Sequence, residues 1–282
     1  MGRRVAGRFV AGETLDDAMA AARALNARGV ASMLNHLGEN VTTAEQAAAA
    51  TDDYLLEVKR AHEAEELDCL VSVKLTQLGL DLSHDLCVQN AERIVTLAAE
   101  RRTLVMIDME GHEYVDATLR VHRELRERFF NVGVCLQAYL RRTAKDLYEL
   151  PEPSTIRLCK GAYLEPEEMA YPDRGNVDRN YARVFATLME RGHTVHVATH
   201  DPRLIDGARS FVERREIPWR RVEFQMLYGI RRDLQFGLAR DHYPVRVYIP
   251  YGTEWYPYLT RRMAERPANL WFFAQNLVRV SR

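Results

Sequence analysis

Short apolar runs alternate with longer amphipathic stretches along most of the chain. The runs are nearly continuous in apolar residues, as expected for parallel strands that are buried on both faces. The stretches between them have the spacing of helices with one apolar face. The eight runs are Val30–Leu34, Leu70–Leu75, Leu104–Met109, Val132–Gln137, Ile156–Lys160, Thr194–Ala198, Val222–Gln225 and Val245–Ile249.

Amphipathic stretches follow most of the runs, and one precedes the first run. The leading stretch predicts a helix over Thr14–Arg28. Thr42–Glu45 is a candidate capping box for the next helix, in which each end residue satisfies a backbone N–H of the other. The remaining helices are predicted over Thr42–Glu66, Ser83–Arg101, Tyr114–Phe129, Asp178–Arg191, Asp201–Arg214, Arg231–Arg240 and Pro257–Glu265.

This alternation predicts a (β/α)8 TIM-type barrel with a short N-terminal helical extension over about residues 1–29. The alternative is an open doubly wound sheet, which normally has a Gly-rich phosphate-binding turn after its first strand. Here that turn, Asn35–Asn40 (NHLGEN), contains one glycine, and the chain has no GxGxxG or Walker motif. No repeat or Ser/Gly linker divides the sequence, so we expect one catalytic domain over residues 1–282.

Composition narrows the functional classes. The net charge of -1 provides no field for binding nucleic acid or an acidic membrane surface. Cys69, Cys87, Cys135 and Cys159 lack metal-site spacing, so buried thiols in a reducing cytoplasm are expected and a metal site is not. No apolar run approaches the ~20 residues of a membrane span. The expectation is a cytoplasmic protein without a transmembrane span, with a peripheral contact at the inner membrane face left open.

Polar residues gather where the predicted strands end, which is where barrel enzymes place their chemistry. A single such residue is more often a satisfied polar plug, but a full ring favours a polar ligand at the barrel mouth. The basic members predict anionic ligand groups such as carboxylate or phosphate. The ring consists of Asn35, Glu39, Lys74, Asp108, Glu110, Gln137, Arg157, Lys160, Thr199, His200, Glu223, Gln225 and Tyr248.

The last predicted helix adds a second basic feature. Tyr258, Arg261, Arg262 and Glu265 are spaced i, i+3, i+4 and i+7 and share one helix face. Adjacent arginines on one turn can hold a carboxylate with paired hydrogen bonds. The alternative is a solvated face with an Arg261–Glu265 pair. His200 is a candidate general base, a cofactor ligand or a cap for the following helix.

Eight segments, in order, resemble the proline dehydrogenase family in its monofunctional bacterial form. Together they cover the chain from about Gly12 to Leu277. They are KLTQLGLDLS, IDMEG, QAYLRRT, RLCKGAYLEP, VATHDPR, EFQMLYG, VRVYIPYG and YLTRRMAERPANL.

The resemblance implies a distorted (β/α)8 barrel that binds FAD at the strand ends. The implied reaction oxidises L-proline to pyrroline-5-carboxylate by hydride transfer to FAD, as the first step of proline catabolism to glutamate. Electrons would pass on to a quinone acceptor, and a functional link to pyrroline-5-carboxylate dehydrogenase is expected.

The resemblance also implies residue roles. Asp108 and Arg157 are the expected catalytic pair, with Arg157 stabilising negative charge on the reduced flavin. Glu39 and Glu265 are the expected gate residues, and Glu39 would pair with Arg261 when the site is closed or holds no ligand. Cofactor contacts are expected from Asp108, Met109, Gln137, Arg157, Lys160, Gly161, Ala162, Thr199 and His200. Substrate contacts are expected from Lys74, Arg261, Arg262, Tyr163, Tyr248, Tyr258 and Leu227.

Two other functions fit a basic barrel mouth. One is a cofactor-free aldolase or lyase that forms a Schiff base on Lys74 or Lys160. The other is a non-catalytic amino-acid-binding protein. Fold alone does not separate these, because barrels support many chemistries.

Overall fold

The computed structural model describes residues 7–264, with side chains described up to residue 261. Eight parallel strands follow one another in sequence order around a closed barrel, and β8 pairs with β1. This closure confirms the predicted barrel and excludes the open sheet, which would leave two unpaired edges. The strands are β1 Ala31–His36, β2 Cys69–Val73, β3 Val105–Ile107, β4 Val132–Gln137, β5 Thr155–Cys159, β6 Thr194–Ala198, β7 Val222–Leu227 and β8 Val245–Tyr251.

Helices surround the barrel at the predicted stretches, although the helix predicted over Asp178–Arg191 begins at Arg174, and the fourth connection contains one addition. That connection contains a four-residue helix and a 3-10 turn, which are too short to leave a periodic pattern in the sequence. The 3-10 turns are His112–Tyr114, Leu147–Glu149 and Trp219–Arg221. The α-helices are α1 Leu15–Asn26, α2 Ala44–Glu63, α3 His84–Glu100, α4 Val115–Arg126, α5 Thr143–Asp146, α6 Arg174–Glu190, α7 Pro202–Arg214, α8 Arg232–Arg240 and α9 Trp255–Ala264.

The predicted capping box at the start of α2 was wrong by one residue. Thr43, not Thr42, is the N-cap, and its hydroxyl accepts a hydrogen bond from Gln46 N at 3.3 Å. Gln46 Oε1 in turn accepts from Thr43 N at 3.2 Å and from Thr42 N at 2.8 Å. Glu45 lies exposed to solvent, so the glutamine, whose oxygen reaches both threonine amides, closes the box instead.

The first and last described α-helices, α1 and α9, pack at different positions on the barrel. Helix α1 packs against β1 and β8, which fills the flank beside the closing strand pair. Helix α9 packs through Tyr258 and Leu259 against Phe9, Val10 and Leu37 in a small separate core. Leu37 follows β1 directly, so α9 lies at the end of the barrel where the strands finish. This position brings its polar face to the barrel mouth.

Residues 7–264 contain no helix with both the length and the apolar content needed to cross a membrane. None of Cys69, Cys87, Cys135 and Cys159 forms a disulfide. The assignment of residues 1–282 to one domain stays a prediction, because both chain ends lie outside the described residues.

Candidate functional site

A cavity of about 830 Å³ opens at the carboxyl ends of the strands, within the size range of small-molecule sites. Most of the site residues predicted from the sequence line it. They are Lys74, Asp108, Met109, Gln137, Arg157, Lys160, Gly161, Ala162, Tyr163, Thr199, His200, Leu227, Tyr248, Tyr258 and Arg261.

Three predicted residues are absent from this set, one of which the structure describes in full. Glu39 is not among the residues that line the cavity, but it pairs with Arg261 at its rim. The backbone of Arg262 belongs to α9, while its side chain lies outside the described part of the chain. Glu265 also lies outside the described residues.

Asp108 is the centre of a buried polar network on the cavity floor. It follows β3, and Lys74 follows the neighbouring β2, so barrel closure places them side by side. Its carboxylate accepts hydrogen bonds from Lys74 Nζ at 2.6 Å, Arg157 Nη1 at 2.5 Å and Tyr248 OH at 2.8 Å. Ser72 Oγ donates a fourth, at 2.6 Å. The sequence did not single out Ser72, since a serine inside an apolar strand leaves no distinct signal.

These contacts set the charges on the cavity floor. Burial alone would raise the pKa of Asp108, but Lys74 and Arg157 outweigh it and hold that pKa well below its usual range. Burial would lower the pKa of Lys74, but Asp108 and Tyr248 raise it well above its ordinary value. Lys74 is therefore a permanent cation, and a protonated amine is not a nucleophile.

Arg157, on β5, is held from several directions. Arg157 is 5% exposed, and its Nε donates to Gln225 Oε1 at 2.9 Å. Its guanidinium lies over the ring of Tyr248, 5.4 Å from the centroid, and Nη2 contacts Met33 Sδ. Together with the bond to Asp108, these contacts define a single orientation for the guanidinium.

Gln137, at the end of β4, carries an unused acceptor. Its Nε2 donates to the backbone oxygens of Met109 and Glu110, both at 2.9 Å. Its Oε1 is buried and has no hydrogen-bond partner among the described residues. A buried acceptor left unsatisfied is costly, so this oxygen is suited to an N–H group of a bound molecule.

The rim of the cavity combines an aromatic ring with an ion pair. Tyr163 OH donates to Glu39 Oε1 at 3.3 Å, and the Arg261 guanidinium lies 5.0 Å from the Tyr163 ring centroid. Burial raises the pKa of Tyr163 well above its ordinary value, although the nearby Lys74 acts in the opposite direction, so its hydroxyl stays a donor at neutral pH.

The opposite end of the cavity is a charged cluster. Lys160 Nζ lies 2.5 Å from Asp178 Oδ1 and 3.1 Å from Asp201 Oδ2. Arg203 Nη2 reaches the same two carboxylates, at 3.2 and 3.1 Å. Of these residues the sequence singled out Lys160 alone. The VATHDPR segment contains Asp201 and Arg203, but their distances to Lys160 depend on the pairing of β5 with β6.

His200 does not cap α7. Asp201 is the N-cap, and its side chain accepts a hydrogen bond from Arg203 N at 3.1 Å. His200 Nε2 accepts from Leu227 N at 2.9 Å, which leaves this ring nitrogen without a proton. The ring therefore links the ends of β6 and β7 at the cavity wall.

Gly161 is required by its surroundings. Its φ is +119°, and a Cβ built on it would lie 2.2 Å from a ring carbon of Tyr139. The backbone after Lys160 thus runs against an aromatic ring, which Glu165 orients by accepting from Tyr139 OH at 3.1 Å.

Comparisons with known proteins identify the family of this chain. The profile of the proline dehydrogenase family matches residues 18–275. The proline dehydrogenase of Deinococcus radiodurans is 42% identical over 281 residues, which cover 98% of this chain and 90% of that protein. Proline dehydrogenase 2 of Bacillus subtilis (strain 168) is 38% identical over 271 residues, covering 96% of this chain and 89% of that protein.

Solved structures of proline utilization A proteins superpose on this barrel. Proline utilization A (PutA) from Bdellovibrio bacteriovorus, inactivated by N-propargylglycine, superposes with a TM-score of 0.85 at 26% identity, covering 92% of this chain and 32% of that one. This chain thus spans about a third of that PutA. PutA from Bradyrhizobium japonicum superposes with a TM-score of 0.77 at 21% identity, which shows the shared fold. By its family profile and its full-length relatives, the chain belongs to the proline dehydrogenase family.

Proposed function

We propose that this flavin-dependent proline oxidoreductase holds FAD across the cavity and L-proline at its Asp108 end. The product is pyrroline-5-carboxylate. In this arrangement Gln137, Lys160, Thr199 and His200 contact the cofactor, and Lys74 and Arg261 hold the substrate carboxylate.

The observation that carries the substrate assignment is the fork of Arg261, which already holds a carboxylate. Glu39 occupies the geometry that a substrate carboxylate requires, with one oxygen on each terminal nitrogen. Lys74, Arg157 and Arg261 are three cations against the two carboxylates of Asp108 and Glu39. A substrate carboxylate that displaces Glu39 therefore enters a site with a net positive charge.

The chain's own residues fit a flavin. The buried Oε1 of Gln137 offers an acceptor for a ring N–H, and the cavity has the volume of a small-molecule site. A bound flavin supplies the two-electron oxidation of the proline C–N bond. Arg157 is suited to stabilise negative charge that develops at the cavity floor. Tyr163 and Tyr248 offer flat walls for the pyrrolidine ring.

The Schiff-base alternative is disfavoured by the two candidate lysines. The raised pKa of Lys74 keeps its amine protonated, and Lys160 lies between two carboxylates. The Arg157–Asp108 network at the floor exceeds what a simple carboxylate-binding protein needs. These observations favour redox chemistry over both alternatives.

The partners belong to the same proposal. Electrons pass to a quinone, the product passes to pyrroline-5-carboxylate dehydrogenase, and the enzyme works in the cytoplasm with a peripheral contact at the inner membrane face. The whole-chain resemblance to proline dehydrogenases supports this arrangement.

Anaerobic titration tests the central statement. The purified protein, supplied with FAD, is expected to show visible flavin absorbance that L-proline bleaches in a stoichiometric reaction. Glycine, which has the carboxylate but no ring, serves as the matched control and leaves the absorbance unchanged. A protein that takes up no FAD, or whose bound FAD proline does not reduce, contradicts the proposal.

A further inference from the structure

A row of charged side chains extends the Asp108 network down the barrel interior. Arg246, on β8, donates its Nε to both oxygens of Glu223, on β7, at 2.9 and 3.1 Å. Its Nη1 reaches Asp68 at 2.9 Å. Gln225, two residues along β7, donates to Glu223 Oε1 at 2.8 Å and accepts from Arg157 Nε at 2.9 Å. One amide thus connects the lower charged row to the cavity floor.

The neighbours of Gln225 determine which way its amide points. Arg157 can only donate, so the amide oxygen must face it. Burial would raise the pKa of Glu223, but Arg246 and His196 lower it to about 2, so this carboxylate only accepts. His196 Nδ1 lies 2.8 Å from the amide nitrogen, and burial lowers the pKa of His196 to about 4. The neutral imidazole therefore accepts the second amide hydrogen.

We propose that Gln225 is a positioning residue for proline oxidation, holding the Arg157 guanidinium in register with Asp108. The inference rests on the proposed function, because it concerns the residue assigned to stabilise charge there. Gln225 is 4% exposed and its amide nitrogen is engaged by Glu223 and His196. Gln225 also lines the cavity, but its amide oxygen accepts from Arg157 Nε, so both ends of the amide are held by protein groups and its influence on the site runs through Arg157.

An amide suits this position because it separates two opposite charges. Without it, the buried Arg157 faces the Glu223 carboxylate directly and is attracted downwards, away from Asp108. Asp108 would then retain Lys74 as its only cationic partner in this network. The neutral amide of Gln225, which donates to Glu223 and accepts from Arg157, prevents this movement of Arg157. A hydrocarbon side chain of equal length does not.

The primary variant is Gln225→Met, which preserves length and approximate volume but removes the acceptor and both donors. A misplaced guanidinium is expected to lower kcat on the order of tenfold to a hundredfold. KM for proline should change by less than about threefold, because Lys74 and Arg261 hold the carboxylate. A variant that raises KM at unchanged kcat contradicts the proposal.

A double-mutant cycle separates positioning from general damage. If Gln225 acts through Arg157, then Arg157→Met combined with Gln225→Met has the same kcat as Arg157→Met alone. Effects that multiply show that the two residues act independently, and that result overturns the inference.

A second variant and a control keep the test decisive. Gln225→Asn retains the amide but withdraws it by one methylene, and it replaces Gln225→Met in the cycle if the latter does not fold. Asn131→Leu removes a half-buried amide that donates to the carbonyls of Val95 and Thr103, just before β4. It should lower Tm and leave kcat unchanged. An equal loss of kcat in this control means that destabilisation, and not positioning, explains the Gln225 result.

The two levels of hypothesis fail in different ways. Wild-type rates in Arg157→Met contradict the role of Arg157 in the proposed function, and the inference falls with it. A slow Arg157→Met beside a wild-type Gln225→Met contradicts the inference alone.

Discussion

Arg261 holds Glu39 through both of its terminal nitrogens, with Nη1 2.9 Å from Oε2 and Nη2 2.5 Å from Oε1. Glu39 follows β1 and Arg261 lies on α9, so the pair joins the first and last parts of the barrel. The two side chains are 19% and 21% exposed, which leaves them open to exchange with solvent-borne ligands. Under the proposed function, a substrate carboxylate competes with the Glu39 carboxylate for the same guanidinium.

Replacement of Glu39 should make it easier for proline to bind Arg261. In Glu39→Gln the fork holds a neutral amide, and displacement no longer breaks an ion pair. Since partly exposed pairs contribute roughly 0.2–1 kcal/mol, KM for proline is expected to fall by about 1.4- to fivefold. Steady-state kinetics measures the change. Asp52→Asn, which breaks an exposed pair with Arg93, is the matched control. A KM that stays constant or rises in Glu39→Gln contradicts the competition.

Removal of the basic residues of α9 should have the opposite effect. Arg261→Met combined with Arg262→Met is expected to raise KM for proline by at least about tenfold, because even one lost charge-assisted hydrogen bond costs about 1.5–3 kcal/mol. The protein should remain yellow, since the proposed cofactor contacts lie elsewhere. Arg240→Met, at an exposed helix end, controls for loss of charge. Unchanged proline kinetics in the double variant contradicts the carboxylate assignment.

Asp108→Asn should destabilise the fold in a pH-dependent way. The substitution leaves Lys74 and Arg157 as buried cations without their shared carboxylate, which typically costs about 3–5 kcal/mol. The pKa of Asp108 is depressed in the folded state, so its stabilisation is present above the unfolded pKa of about 3.9 and is lost as pH falls below it. Thermal unfolding at pH 7 and pH 3 checks this. The Tm gap to wild type should narrow at pH 3, and a constant gap contradicts the linkage.

The contribution of Glu57, on α2, to stability should depend on pH in the opposite direction to that of Asp108. It accepts from Tyr251 OH at 2.7 Å, and burial raises its pKa to about 8 despite that bond. Because an unfolded Glu titrates near about 4.3, its contribution to stability is lost as pH rises from there through 8. Glu57→Gln should therefore raise Tm relative to wild type more at pH 9 than at pH 5. Exposed Glu63→Gln, on the same helix, should show no such trend.

Local patterns were enough for the strands and most of the helices. Apolar runs such as Val132–Gln137 became strands with the same bounds, because a strand buried on both faces has few alternatives. The cap of α2 was missed by one residue, since Thr42 and Thr43 offer the same chemistry and only the reach of Gln46 distinguishes them. Helix α5 was missed because four residues are too few for a periodic signal.

By itself the sequence determined the barrel, its order of strands and the polar residues at the strand ends, because hydrophobic period and strand direction are local properties. The tertiary structure alone decided which of those residues meet. Ser72 joins Asp108, and Gln225 joins Arg157, through the register of strands around a closed sheet. The Glu39–Arg261 pair depends on α9 lying at the barrel mouth. Distances between residues far apart in the chain follow from closure and packing, which no local spacing contains.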